Sequence, residues 1–212
     1  MDRITATKTA RMADEIEKVF AVSPEVKEAI AKTNREAFVA IGFKHSAYKL
    51  DALPIGGAQF ISSPLTVAKM TEYLFPRGAD RVLEIGCGSG YQAAVLSHLF
   101  RGVFSIERIE PLMLQAKQRF KNLGIHNIHT RTDDGQNGWI SYAPYDRILF
   151  SATAKEIPSK IFEQLADGGI LVAPMQKGTK QVIVRYIKDG QKIEEEELED
   201  CDFVPILDGV QK

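Results

Sequence analysis

Apolar and polar positions follow two different rhythms along this chain. Up to about residue 80 the spacing is helical, and beyond it short apolar runs of strand length alternate with amphipathic stretches. Ile4, Met12, Ile16, Val19 and Phe20 fall roughly on one face, the 3.6-residue period of a helix packed on a core. Ser23 before Pro24 and Ser63 before Pro64 read as helix starts. A serine hydroxyl can accept an orphan N–H of the first turn, and proline there forfeits no bond. From Arg81 onward the order is RVLEIG (strand), YQAAVLSHLF (helix), GVFSIE (strand), then PLMLQAKQRFKNLG, a helix closed by Gly124. NIHTRT and YDRILFSA are strands, PSKIFEQLADGG a helix again closed by glycine, and ILVAPM a fifth strand. QVIVRYIKDGQKIEEEEL reads as a hairpin turning at Asp189-Gly190, a dipeptide suited to a tight β-turn.

Strand–helix alternation with short connections predicts an α/β fold, doubly wound, with a mostly parallel seven-stranded sheet and helices on both faces. The hairpin adds two antiparallel strands at one edge. The length of 212 residues suits a single domain. Its expected parts are a helical N-terminal region over 1–79, carrying an unusual stretch at 52–64, and an α/β core with its hairpin over 80–212.

That stretch, ALPIGGAQFISSP, combines Gly56, Gly57, Pro54 and Pro64 with apolar Leu53, Ile55, Phe60 and Ile61. A solvated loop would not need the apolar residues, and a regular element would not carry so much Gly and Pro. A fixed, non-regular, apolar path is expected.

Charge narrows the field. Basic and acidic residues number 27 and 28, for a net charge of −1, without the basic patch expected of a nucleic-acid partner. No apolar run approaches the ~18–20 residues that span a bilayer, and the N-terminus lacks the apolar core of a signal peptide. Cys87 and Cys201 make neither metal-ligand spacing nor a disulfide framework, so no metal is implied and a reduced, soluble, cytoplasmic chain is expected. The Glu194–Glu197 run reads as a solvated strand face, and the histidines at 45, 98, 126 and 129 are scattered, with no convincing His–Asp pair.

VLEIGCGSGYQAAVL carries the strongest chemical signal. Gly86, Gly88 and Gly90 lie between a strand and a helix, where glycines allow a tight turn and a ligand against the backbone. A dinucleotide site usually reads G-x-G-x-x-G. Here the spacing is G-x-G-x-G, with Tyr91 next, and Glu84 precedes the loop. A carboxylate there would repel a pyrophosphate and attract a sulfonium or an α-amino group, which points to S-adenosylmethionine. Glu107, at the end of the next strand, is placed to accept hydrogen bonds from ribose hydroxyls, a device shared with NAD sites. Asp134-Gly135, after the third strand, is placed to meet an adenine ring. Ser151 and Thr153 follow the fourth strand, where an acceptor groove and an ordinary strand-end turn are equally compatible with the residues.

Together VLEIGCGSGYQAAVL, SIER, DGQNGW, APYD, EIP, QLADGGILVAP and the late FVP resemble the protein-L-isoaspartate (D-aspartate) O-methyltransferase family. The stretch at 52–64 matches that family's hallmark, roughly ALPIG-x-G-Q-T-I-S-x-P, and the resemblance runs from about Arg35 to Pro205. It implies methylation by S-adenosylmethionine of the free α-carboxylate of an L-isoaspartyl or D-aspartyl residue, with S-adenosylhomocysteine as product. The ester then collapses to a succinimide that hydrolyses partly to normal aspartate. The expected partners are damaged proteins and peptides, with no nucleic acid and no membrane, and the expected state is a monomer. Ser62 is the implied catalytic residue. Phe60, Ile61, Glu84, Gly86, Cys87, Gly88, Gly90, Glu107, Arg108, Asp134 and Gly135 are the implied cofactor residues, and Ile55, Ser62, Ser151 and Val204 the implied substrate residues. Three departures stand out. Ala58 replaces the family's usual glycine, Phe60 its usual threonine, and Cys87 the frequent Thr or Ser.

Rival readings stay open at this point. An amino-methylating nucleic-acid enzyme would carry (D/N)PP(Y/F) where this chain has SATA, and a cytosine C5 enzyme would carry a Pro-Cys nucleophile. A NAD oxidoreductase meets the wrong glycine spacing. A cofactor-binding homologue with another acceptor, or with no activity, is the rival that Phe60 raises.

Overall fold

A computed structural model describes all residues from 1 to 212. The N-terminal part holds α1 (Arg3–Val19), α2 (Pro24–Lys32), two 3-10 turns (Arg35–Phe38 and Ile41–Ser46), β1 (Leu53–Pro54), β2 (Phe60–Ile61) and α3 (Pro64–Tyr73). The core follows as β3 (Arg81–Ile85), α4 (Tyr91–Leu96), β4 (Gly102–Glu107), α5 (Glu110–Leu123), β5 (Ile128–Thr132) and β6 (Tyr145–Phe150). It ends with α6 (Ser159–Glu163), β7 (Leu165–Lys177), β8 (Lys180–Asp189) and β9 (Lys192–Cys201).

Seven strands form one sheet in the order β5-β4-β3-β6-β7-β8-β9. β3 to β7 run parallel, and β8 and β9 close the far edge antiparallel. The chain starts at β3, moves outward to β5, then returns to β6 on the other side of β3. That reversal opens a crevice at the carboxyl ends of β3 and β6, where ligands of doubly wound sheets bind.

Side-chain alternation along the strands builds two cores. Val82, Val103, Leu149 and Val172 face α4, α5 and the N-terminal helices, in one cluster with Met12, Ile16, Ile30, Tyr91 and Phe120. Leu83, Phe104, Ile148 and Leu171 face the opposite side with Tyr145, Ile161 and Leu165. The N-terminal helices therefore share a core with the sheet. On β9, Glu195, Glu196 and Asp200 pair with Lys177, Arg185 and Lys180, so the acidic run is a solvated face on an edge strand. Charges there also discourage strand addition by another chain.

Four local expectations change. On α1 the buried residues are Thr9, Met12, Ala13 and Ile16, whereas Ile4 and Val19 are 70% and 65% exposed, because the helix packs on α2 and α3 along a narrow stripe near its centre. Ser23 starts α2 without capping it. Its N–H and Oγ both donate to Glu72 Oε2, at 2.7 and 2.9 Å, tying α2 to the end of α3. Ser63 does cap α3, its Oγ accepting from Thr66 N at 3.0 Å. The sixth helix stops at Glu163, short of the glycines. Leu165 already pairs with Tyr145 and the next pair is Arg147 with Ile170, so residues 166–169 bulge from β7, with Gly168 at φ +70°. Finally, the 52–64 stretch is a small antiparallel ribbon, with Leu53 opposite Ile61 and Pro54 opposite Phe60. Its glycines turn the ribbon, and its prolines stand outside the ladder bonds.

Candidate active site

A cleft of about 870 Å³, including its open mouth, lies at the carboxyl ends of β3, β4 and β6. The β1–β2 ribbon and the C-terminal segment Val204–Leu207 form its other walls.

The floor is the loop between β3 and α4. Gly86 and Cys87 both donate their N–H to Ile106 O, at 2.9 and 3.1 Å, and Gly88 donates to Glu107 Oε2 at 2.8 Å. Gly86 and Gly88 have φ of +98° and +53°, a region costly for side chains, and both face the cleft. Gly90, also at positive φ, has a different task. A Cβ there would lie 2.7 Å from the Phe120 ring, so it lets α4 approach α5 and does not line the cleft. Gly135 lines the cleft, and a Cβ on it would strike Ile85 Cγ2 at 2.5 Å. Cys87 is buried in the floor, and burial pushes its thiol well above the ordinary value, as fits a packing residue.

Glu107 faces the cleft with both oxygens already accepting one backbone N–H, from Ile109 at 2.9 Å and from Gly88. Each oxygen keeps lone-pair capacity for a diol. Arg108 also lines the cleft, but its guanidinium holds the C-terminal tail, donating to Gly209 O, Asp208 O and Gln211 Oε1 at 2.9, 3.2 and 3.3 Å. Asp134, expected to meet an adenine ring, is not among the residues that line the cleft. Its Oδ1 accepts from Gln136 N at 3.0 Å and its Oδ2 from Gly209 N at 2.9 Å, because the short 3-10 turn needs a cap and the tail an anchor.

Glu84 lies beneath the loop and not at its surface. It is fully buried, its Oε2 accepts from Ser105 Oγ, and its Oε1 has no partner. Burial pushes its carboxyl up to about 8, with the nearby Glu107 adding to the effect.

The ribbon supplies the apolar wall. Ile61 is buried, Phe60 is 55% exposed, and both line the cleft beside Ser62. Ser62 O accepts from Arg35 Nη2 at 3.0 Å, and no protein group occupies its hydroxyl. Ile55 leans over the floor, its Cδ1 3.7 Å from where a Gly88 Cβ would be. Ser151 and Val204 line the cleft, fixed through Ser151 N to Ile85 O and Thr153 N to Val204 O, both 2.8 Å. Thr153 itself is a buried strand-end residue whose Oγ1 donates to Gln181 Oε1 at 2.7 Å.

Sequence patterns did not expose the roles of Arg35, Tyr91, Ile206 and Leu207, the last three of which line the cleft. Arg35 is wholly buried, which is not a prior for arginine. Tyr91 was visible only as a break in the dinucleotide spacing.

These residues suit S-adenosylmethionine better than a dinucleotide. The one cationic side chain on the walls, Arg108, is committed to the tail, so no side-chain cation is free to balance a pyrophosphate. Beneath the loop, the buried Glu84 carboxyl would gain its charge beside a cationic ligand and not beside a pyrophosphate. Sheet order, glycine loop and strand-tip acid together define a Rossmann-like methyltransferase of class I.

Comparison with known proteins narrows the class. The model of the family described as Protein-L-isoaspartate(D-aspartate) O-methyltransferase matches residues 6–211. A Protein-L-isoaspartate O-methyltransferase of Helicobacter pylori (strain G27) is 55% identical over 98% of this chain and all of its own length. A solved structure of a protein-L-isoaspartate O-methyltransferase superposes with a TM-score of 0.87 at 26% identity, covering 94% of this chain and 66% of its own. A Plasmodium falciparum crystal structure in complex with S-adenosyl-L-homocysteine shares the fold, with a TM-score of 0.83 at 19% identity over 94% of this chain and 98% of its own. The chain belongs to the protein-L-isoaspartate(D-aspartate) O-methyltransferase family.

Proposed function

We infer that the protein methylates the free α-carboxylate of L-isoaspartyl and D-aspartyl residues in damaged proteins and peptides, using S-adenosylmethionine. The ester formed is the entry to repair through a succinimide. The observation that carries this reading is the meeting, in one cleft, of a glycine loop and strand-tip acid with the apolar Phe60–Ile61–Ser62 wall.

Bound S-adenosylmethionine supplies an electrophilic methyl group and leaves as S-adenosylhomocysteine. Glu107 would hold the ribose, and Gly86, Cys87 and Gly88 would lie along the amino-acid portion, with Glu84 answering its positive charge from below. Gly135, packed against Ile85 at the cleft wall, would border the adenine, and Arg108 and Asp134 act by fastening the tail that closes the cleft. The acceptor needs no general base, since a carboxyl with a pKa of ~4 is already ionised at pH 7. What the chain must provide is alignment, which in the best cases contributes up to ~7–11 kcal/mol, and exclusion of water, which strengthens the attraction between opposite charges. Ile61 and Phe60 exclude water. Ser62, with its free hydroxyl at the wall, orients the carboxylate, while Ile55, Ser151 and Val204 frame it. No helix is long and apolar enough to cross a membrane. The balanced charge, without a basic patch, supports a chain with no nucleic-acid partner, and we read it as a cytoplasmic, single-domain monomer.

Ser62→Ala tests the role. Turnover on an isoaspartyl peptide is expected to fall ~10-fold or more, with the dissociation constant for S-adenosylhomocysteine within about twofold of wild type. Unchanged turnover would remove Ser62 from the mechanism.

A further inference from the structure

The proposed role of Ser62 leaves open what fixes it. Arg35 is fully buried and no carboxylate lies within ion-pair distance of it, the charged pairs of this chain all involving other residues. Its Nη1 donates to Ala47 O at 2.6 Å, and its Nη2 to both Asp51 O at 2.9 Å and Ser62 O at 3.0 Å. Its Nε has no partner. The guanidinium carbon stands 5.7 Å from the centre of the Tyr91 ring, a favourable cation–π distance. Tyr91 lines the cleft and begins α4 directly after the glycine loop.

A buried guanidinium without a counter-ion is an expensive way to fill a core, and an apolar side chain of similar volume generally holds a core at least as well. Stability alone therefore does not account for it. What the planar fork achieves is geometric. One nitrogen grips the residue that enters the ribbon and the residue that leaves it, while the flat face rests on the helix that follows the cofactor loop. Lysine has three donors on one freely rotating nitrogen and lacks the fixed planar fork, so it would not hold these partners in the same geometry.

Building on the methylation reading, we propose that Arg35 is a positioning residue for the acceptor. By clamping the main chain of Ser62 against Tyr91, it holds the wall that orients the carboxylate in fixed register with the floor that holds the methyl donor. It acts through Ser62 and touches neither reactant.

The test is a double-mutant cycle of Arg35→Lys and Ser62→Ala, with Arg35→Gln as a second variant should Lys not be accommodated. Folding is checked by thermal unfolding and cofactor-site integrity by S-adenosylhomocysteine affinity. Arg35→Lys is expected to lower kcat on an isoaspartyl peptide about 10- to 100-fold, the scale of a small misplacement of reacting groups. Affinity for S-adenosylhomocysteine should stay within about twofold, with KM changing less than kcat. In the double variant the two losses should not multiply, because residues that act through one another are not additive, and its kcat should match that of the more impaired single variant. A wild-type kcat in a folded Arg35 variant would overturn the proposal, as would losses that multiply, which mark Arg35 as merely structural. If Ser62→Ala alone leaves kcat unchanged, the role of Ser62 falls and this proposal falls with it. If Ser62→Ala is impaired but the losses multiply, only the role of Arg35 falls.

Discussion

Glu84→Gln should make the protein more stable and a poorer binder of its cofactor. In the cofactor-free fold, burial raises the Glu84 carboxyl to about 8 from a reference of 4.5. The folded state thus keeps a proton that the unfolded chain releases between those two pH values. Stability is then greatest at acid pH and falls as pH rises toward 8, by at most ~1.4 kcal/mol per pH unit. Across the whole interval the loss is about 4–5 kcal/mol, and at pH 7 about 3 kcal/mol, both upper bounds because a buried site relaxes and admits water. Glutamine keeps the shape and can still accept from Ser105, but it cannot ionise, so the slope should vanish. Urea unfolding without cofactor from pH 5 to pH 9 measures both proteins. The wild type should lose stability with rising pH while Glu84→Gln stays level, the two curves diverging from about pH 5 and running parallel again above about pH 8. Calorimetry should show Glu84→Gln binding S-adenosylhomocysteine more weakly, through loss of a through-space attraction to the ligand's ammonium group. Stability curves for the two proteins that run parallel throughout would refute the assignment of Glu84 as a buried, proton-holding acid.

Other substitutions separate packing from chemistry. Gly90→Ala should lower the melting temperature and destabilise by ~2 kcal/mol or more, because it combines positive φ with a clash against Phe120, while any protein that folds keeps wild-type cofactor affinity. Gly135→Ala also clashes, with Ile85, but at the cleft wall, so its loss should appear in S-adenosylhomocysteine binding as well as in melting temperature. Phe60→Thr, which restores the residue usual in the family, should leave cofactor affinity unchanged and alter the relative kcat/KM for isoaspartyl peptides with aromatic and polar flanking residues. Identical preferences before and after would show that the exposed ring does not touch substrate.

The sheet was legible because parallel strands buried on both faces leave unmistakable apolar runs, as in Val82–Ile85 and Ile148–Phe150. The floor was legible for a related reason: Gly86 and Gly88 mark backbone shapes that other residues adopt at a cost. Where the sequence misled, one residue type served two purposes. Gly90 reads like its neighbours but answers Phe120, a contact with α5 that no local pattern carries. The glycines after Glu163 look like a helix cap and instead serve a bulge, because pairing of Leu165 with Tyr145 overrides helix propensity. Asp134 also anchors the tail, 75 positions along the chain, through its Oδ2, a contact no local pattern carries. Arg35 was visible only as the start of the family resemblance, and its role was not, because its three acceptors are main-chain carbonyls, and every residue has one.

The most direct measurement of the account is methyl transfer itself. The protein is incubated with methyl-labelled S-adenosylmethionine and matched peptides differing only in an isoaspartyl or a normal aspartyl linkage, and volatile methanol is collected after mild base. Label should be released from the isoaspartyl peptide and not from its normal counterpart, and Ser62→Ala should reduce it sharply. Tight cofactor binding with no methanol from either peptide, or equal release from both, would contradict an acceptor site built for the displaced α-carboxylate.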